Sequence, residues 1–134
     1  MSAAPQMRDV SPVLLVADVV KAAAYYADAL GFRASRMWGE PPTFCIPGRD
    51  GVSIMLNQVG PGEAVHPNAA CDGRFDAYFW VRDADALFGE FRANGADIVC
   101  EPEDMPYEMR EFQVRDLDGH LLAFGHDTTG AGNG

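Results

Sequence analysis

The chain is one pattern written twice, and that repeat constrains its fold more than any other feature. In the first half Val10-Ser11-Pro12-Val13-Leu14-Leu15-Val16-Ala17-Asp18 leads into a helical periodicity that ends at Leu30-Gly31-Phe32. In the second half Phe75-Asp76-Ala77-Tyr78-Phe79-Trp80-Val81-Arg82-Asp83 leads into one that ends at Asn94-Gly95-Ala96. The two aspartates lie 65 residues apart (83 − 18) and the two glycines 64 apart (95 − 31). Further on, Asp50-Gly51-Val52-Ser53-Ile54-Met55-Leu56 is echoed by Asp118-Gly119-His120-Leu121-Leu122-Ala123-Phe124 at an offset of 68 (119 − 51). Three landmarks in the same order and at nearly one spacing argue for a duplicated structural unit.

Each landmark has a physical role. Asp18 and Asp83 follow β-branched and aromatic runs and precede helical spacing, so they read as N-caps for the first free N–H groups. Val19, Ala22, Ala23, Tyr26 and Leu30 form one apolar stripe; Ala84, Leu87, Phe88 and Phe91 form the other. Gly31 and Gly95 stand where a left-handed residue ends a helix. Asp50-Gly51 and Asp118-Gly119 are turn dipeptides, each followed by an apolar strand. The expected order in each half is strand, helix, then three strands. These span about 10–16, 19–30, 33–38, 43–47 and 52–58, then about 76–82, 84–94, 97–101, 109–115 and 120–126. One domain over 1–134 is expected, with repeat one at about 8–58, a Gly-, Pro- and Asn-rich linker at about 59–74, and repeat two at about 75–126.

Composition narrows the function. At 48% hydrophobic residues over 134 positions the chain can bury a real core. It has no run of eighteen apolar residues for a membrane span and no secretory pattern at Met1-Ser2-Ala3-Ala4-Pro5-Gln6, so a cytoplasmic protein is expected. Cys45, Cys71 and Cys100 are odd in number and lack metal-site spacing, which reads as free thiols. The formal net charge of −10 repels phosphates, so neither nucleic acid nor an anionic membrane is an expected partner. The acidity serves solubility, or it attracts a cationic ligand. The stretch from Glu101 to Glu111 carries five acids and one base interleaved with Pro, Met and Tyr, which is unlike a plain solvated charge run.

A βαβββ unit in tandem resembles the vicinal-oxygen-chelate superfamily of glyoxalases, bleomycin-resistance proteins and extradiol dioxygenases. The matching pieces are Val16-Ala17-Asp18, Tyr25-Tyr26 and Leu30-Gly31-Phe32, with Met109-Arg110-Glu111-Phe112 and Val114-Arg115-Asp116-Leu117-Asp118-Gly119-His120. The resemblance covers about residues 10–126 and is specific for fold and weak for activity. It implies an α+β fold: two tandem βαβββ repeats forming a cup-shaped mixed sheet with the helices outside. It also implies that metal-using members place one ligand from each of four strands inside the cup. Those positions fall here on Ser11, Met55, Asp76 and Ala123, where the family uses His, Gln or Glu. One carboxylate and a thioether do not make a zinc or iron site, so no metal, cofactor or catalytic residue is expected. His66, His120 and His126 read as surface histidines away from the cup.

Strand alternation sorts the remaining side chains. With Asp76 inside, Tyr78 and Trp80 are inside too, and Ala77, Phe79 and Val81 face the helix. Met55 brings Ser53 and Asn57 inside and leaves Ile54 and Leu56 to the helix. Ser11, Val13, Leu15, Leu121 and Ala123 also fall inside. The apolar members of 109–115 suit the helix side, which turns Glu111 and Gln113 into the cup. Trp38, Phe44 and Tyr107 are placed at the rim. The expected ligand-binding set is therefore Trp38, Phe44, Met55, Asn57, Asp76, Tyr78, Trp80, Tyr107 and Glu111, an aromatic wall with carboxylates that suits a planar cationic molecule. Closest in kind are the metal-free bleomycin-resistance proteins, which the resemblance describes as acidic homodimers, so a homodimer is expected. Two other readings stay open: a metal-dependent or metal-independent lyase- or dioxygenase-type enzyme of the same superfamily, with Asp76 and Tyr78 as an acid–base pair or a metal that arrives with the substrate, and an accessory domain whose cup is filled by its own side chains.

Overall fold

The computed structural model describes residues 4–130. Repeat one begins with β1 (Val13–Val16) and α1 (Val19–Leu30). It continues through β2 (Met37–Trp38), β3 (Phe44–Cys45), β4 (Gly48–Arg49), β5 (Val52–Ser53) and β6 (Met55–Gln58). Repeat two holds β7 (Ala77–Trp80), α2 (Ala84–Ala93), β8 (Asp97–Asp104), β9 (Met109–Arg115) and β10 (Leu121–Asp127). Between them lies a single 3-10 turn, Asn68–Ala70. The strands form two mixed four-stranded sheets, ordered β1-β6-β3-β2 and β7-β10-β9-β8, and a small β4-β5 hairpin. The protein is thus α+β, with tandem βαβββ units and no closed barrel.

The duplication is visible in the strand register. β1 runs parallel to β6 with Val13 opposite Met55, and β7 runs parallel to β10 with Tyr78 opposite Ala123. These pairs differ by 65 (78 − 13) and 68 (123 − 55) residues, the same offsets that separate the sequence landmarks. Both caps form as expected. Asp18 accepts from the Val20 and Lys21 amides, Asp83 accepts from the Ala86 amide, and α1 ends on Gly31 at φ 71°. Asp50-Gly51 turns with both φ angles positive, the conformation of a two-residue hairpin, whereas Asp116–His120 is a longer loop in which only Gly119 is left-handed.

The strands of repeat one are shorter than their apolar runs. Pro12 has no amide to give a ladder, and pairing starts only at Val13. The expected strand 33–38 shrinks to Met37–Trp38 and one bridge from Arg33 to Gly48. The 52–58 run breaks at Ile54, whose amide bonds the Pro47 carbonyl instead of a ladder partner. In repeat two β8 runs past its expected end to Asp104, with register shifts near Cys100.

Helix stripes and inner strand faces share one apolar core across both repeats. Val16, Val19, Tyr26, Leu30, Ile54 and Leu56 meet Phe79, Phe91, Phe112, Val114, Leu122 and Phe124 there. Phe124 stacks on Phe79 and Phe112 at 4.7 and 5.3 Å between centroids, and Phe91 meets it edge-on at 5.0 Å. Among the described residues no helix is long and apolar enough to cross a membrane.

Candidate functional site

Each sheet gives one face to the helices and presents the other outward. On the first sheet the outward row is set by register: Leu15 opposes Asn57, Asn57 opposes Phe44, and Phe44 opposes Trp38. Met55 lies on the same face opposite Val13. Trp38 and Phe44 stand 5.8 Å apart, and the Arg36 guanidinium already lies 4.4 Å over the Trp38 ring. On the second sheet Tyr78 opposes Ala123, while Trp80 opposes Gly125, which opposes Glu111. The rings of Phe75, Tyr78 and Trp80 follow one another at 5.8 and 5.5 Å. Val13, Leu15 and Trp80 leave 55%, 42% and 57% of their surface to solvent, a wet apolar face on strands that are otherwise well packed.

The polar centre of the second face is Glu111, only 2% exposed. Its Oε1 accepts from the Tyr107 hydroxyl at 2.7 Å and from the Tyr78 hydroxyl at 3.0 Å. Its Oε2 is equally buried and has no protein donor. Burial, and then the bond to Glu111, push the Tyr107 phenol up to about 12 and raise that of Tyr78 further. Both hydroxyls therefore keep their protons at physiological pH and act as donors. Gly125 makes this possible: a Cβ there would collide with the Tyr78 hydroxyl and crowd the Glu111 Cβ. The isolated glycine in an apolar strand is the sequence signal for such a close approach.

Eight of the nine expected site residues thus fall into two groups. Trp38, Phe44, Met55 and Asn57 share the face of the first sheet, and Tyr78, Trp80, Tyr107 and Glu111 share that of the second. No ring contact joins the two groups among the described residues. Asp76 is used differently. Its carboxylate accepts from the Asn68 amide at 2.6 Å and the Leu121 amide at 2.8 Å, which ties the linker to the start of β10. Tyr78 bonds Glu111, so Asp76 and Tyr78 are not assembled as an acid–base pair.

Two histidines correct the expectation of surface positions. His120 is 5% exposed and its Nε2 donates to the Leu15 carbonyl of the other repeat at 2.7 Å. His126 is half-buried and its Nδ1 accepts from the Ala84 amide, at the first turn of α2. Only His66 is exposed as expected.

Residues 10–124 match the profile of the Glyoxalase/Bleomycin resistance protein/Dioxygenase superfamily. The chain belongs to that superfamily. Among solved structures, TioX from Micromonospora sp. ML1 is 28% identical, with a TM-score of 0.64, covering 89% of this chain and 95% of its own. UcmS2 is 25% identical, with a TM-score of 0.66 and coverages of 89% and 98%. The bleomycin-binding protein from bleomycin-producing Streptomyces verticillus, solved with copper(II)-bleomycin, is 22% identical, with a TM-score of 0.68 and coverages of 90% and 97%; it shares the fold. No curated protein matches the chain.

Superfamily metal chemistry needs donors that this member does not bring together. At the four strand positions, Ala123 has no donor atom, Met55 offers a thioether, Ser11 a hydroxyl, and the Asp76 carboxylate is taken up by two backbone amides. Among the described residues no three His, Cys, Asp or Glu side chains gather into a metal-holding group. The donor set does not fit a zinc or iron centre.

A groove of about 670 Å³ lies apart from these faces, between the β4-β5 hairpin and the β7–α2 unit, and shares Trp80 with them. Its other walls include Phe32, Val52, Leu87 and the Arg49–Glu90 pair. The sequence gives no hint of it, because it arises from how the repeats meet.

Proposed function

We propose that this protein is a metal-free small-molecule binder that sequesters a planar, positively charged aromatic ligand in an acidic, aromatic-lined cup. The observation that carries the proposal is the buried Glu111 carboxylate, held by two tyrosine hydroxyls beside the open face of Trp80. A flat cation gains stacking and cation–π attraction from such a wall, about 0.5–2 kcal/mol per ring depending on desolvation. The carboxylate supplies the fixed charge that orients it. The net charge of −10 steers encounter. The fold shared with a bleomycin-binding protein supports the same reading. Of the two tryptophans Trp80 is the better anchor, because Trp38 already carries Arg36 on its face. In this reading the two site groups come together when a second copy of the chain lays its first sheet opposite the second sheet of its partner. The protein acts as a homodimer, and no nucleophile or base is required.

Calorimetry tests the proposal with bleomycin and proflavine as cations and anthracene carboxylate as the anion. The cations are expected to bind at least about tenfold more tightly, a difference of about 1.4 kcal/mol. Salt is expected to weaken binding without abolishing it, since it screens the steering charge and leaves the stacking. Trp80→Ala is expected to cost more affinity than Glu108→Gln, because Glu108 is an exposed rim charge. Anions bound as tightly as cations, or a Trp80→Ala variant equal to wild type, would refute the proposal.

A further inference from the structure

Resting on that reading, we infer that Glu111 Oε2 is the acceptor for a protonated nitrogen of the ligand, and that the site therefore selects cations that carry an N–H over those fully alkylated at nitrogen. The two oxygens of this carboxylate are unequal. Oε1 is saturated by Tyr78 and Tyr107 at 3.0 and 2.7 Å. Oε2 is closed off from solvent yet accepts from no protein group. A buried acceptor left without a donor is costly, and more so when charged, so a fold does not bury one without consequence. Both phenols are committed to Oε1. Tyr78 is fixed over Gly125, where a Cβ would collide with it, and by its ring neighbours Phe75 and Trp80.

Tyr107 is the more exposed of the two tyrosines that hold this carboxylate. Tyr107 stands in the β8–β9 turn, where Glu108 adopts φ 62° and the Glu108 amide bonds the Met105 carbonyl. Its side chain is half exposed and only its hydroxyl tip is tied down, to Glu111. Rotation of this ring toward solvent would release one donor from Glu111, two strands across from Trp80. A planar cation stacked on Trp80 would then point an edge N–H at Oε2, while Tyr78 still holds Oε1. A quaternary nitrogen gains the same stacking and the same charge attraction and has no proton to give. Its extra methyl adds apolar area, so the hydrophobic contribution favours the quaternary compound. A preference for N–H therefore reports the hydrogen bond and not the greasiness of the probe.

The experiment uses two probes on the wild-type protein and on Glu111→Gln: acridine orange, whose ring nitrogen is protonated at neutral pH and whose exocyclic nitrogens are fully methylated, and its 10-methyl derivative, which has no N–H. Wild type is expected to bind acridine orange about tenfold or more tightly than the 10-methyl derivative, the range of a hydrogen bond to a charged group. Glu111→Gln is expected to lose that preference through weaker acridine orange binding, with the 10-methyl derivative falling less. The wild-type comparison stands even if the variant does not fold. Equal binding of both probes in wild type, with Trp80→Ala weakening both, would overturn the Oε2 assignment and leave the aromatic cup standing. Unchanged selectivity in a folded Glu111→Gln variant would overturn it as well. If neither probe binds wild type, the cup reading and this inference fail together.

Discussion

At the scale of single residues, His120 shows how much a motif can conceal. As part of Asp118-Gly119-His120 it reads as a turn histidine, yet it is buried and reaches across to the Leu15 carbonyl. A carbonyl only accepts, so Nε2 carries the proton. In the neutral ring the Nδ1 lone pair then faces Asp76 Oδ1 at 3.3 Å, without hydrogen-bond alignment. Protonation turns that repulsion into attraction. Burial works against the charged ring, but the Leu15 carbonyl and the Asp116 and Asp76 carboxylates outweigh it, and the pKa lies above the ordinary 6.5. A folded pKa above the unfolded one means stability that is complete below about 6.5 and lost as pH rises through the folded value. The melting temperature should therefore fall as pH rises from about 6.5 through the folded value, and His120→Gln should flatten that slope while lowering the plateau. A wild-type melting temperature that rises across this window would contradict the assignment. Glu111, by contrast, lies on the sheet face opposite the core as alternation expects, because Phe112 and Val114, one and three residues further on, claim the helix face. Its bonds to Tyr78 and Tyr107 were not legible, since Tyr107 reaches it from a turn whose path no periodicity sets.

At the scale of elements, the two repeats hold each other by reciprocal contacts, and the two contacts are unequal. The β9–β10 loop of repeat two grips α1. Asp116 Oδ2 accepts from the buried Tyr26 hydroxyl at 2.6 Å, its Oδ1 accepts from the Asp118 and His120 amides, and Tyr25 bonds the Arg115 carbonyl. Among the described residues the equivalent turn of repeat one hydrogen-bonds α2 through Arg49 alone, paired with Glu90 at 2.6 and 2.8 Å. The repeat offset of 68 puts Gly48, which has no side chain to reach the helix, where repeat two has Asp116 (116 − 68). The offsets could be read from sequence, and so could both caps and helix ends. The reciprocal grip could not, because each half of it lies in the other repeat. Its two arms should differ in strength. Tyr26→Phe strands a carboxylate oxygen in the core and should cost about 1–3 kcal/mol. Glu90→Gln loosens a partly exposed pair and should cost less than about 1 kcal/mol. Urea midpoints of the two variants give the comparison, and equal losses would mean that the contacts carry similar loads.

For the whole molecule, the decisive fact is what the fold leaves uncovered. One core serves both repeats on the helix side, but the outward faces carry Val13, Leu15, Trp38, Trp80 and Tyr107 with much of their surface in water. Scattered exposed apolar residues are ordinary; here all but Tyr107, which stands in the β8–β9 turn, sit on strands, and on each sheet they occupy one face, the one the sequence assigns to ligand binding. A self-complementary two-fold pairing that lays the first sheet of each chain opposite the second sheet of the other would cover these residues. It would also bring Phe44, Met55 and Asn57 to the face that holds Tyr78 and Glu111. Light scattering at micromolar concentration should therefore give twice the chain mass, and Leu15→Glu should shift the protein toward monomer by placing a charge in the apolar face. The same substitution should weaken proflavine binding, although Leu15 lies on the sheet that does not carry Glu111. That coupling separates the two-fold cup from an incidental dimer. A Leu15→Glu monomer that binds proflavine as tightly as wild type would show that one chain holds the whole site.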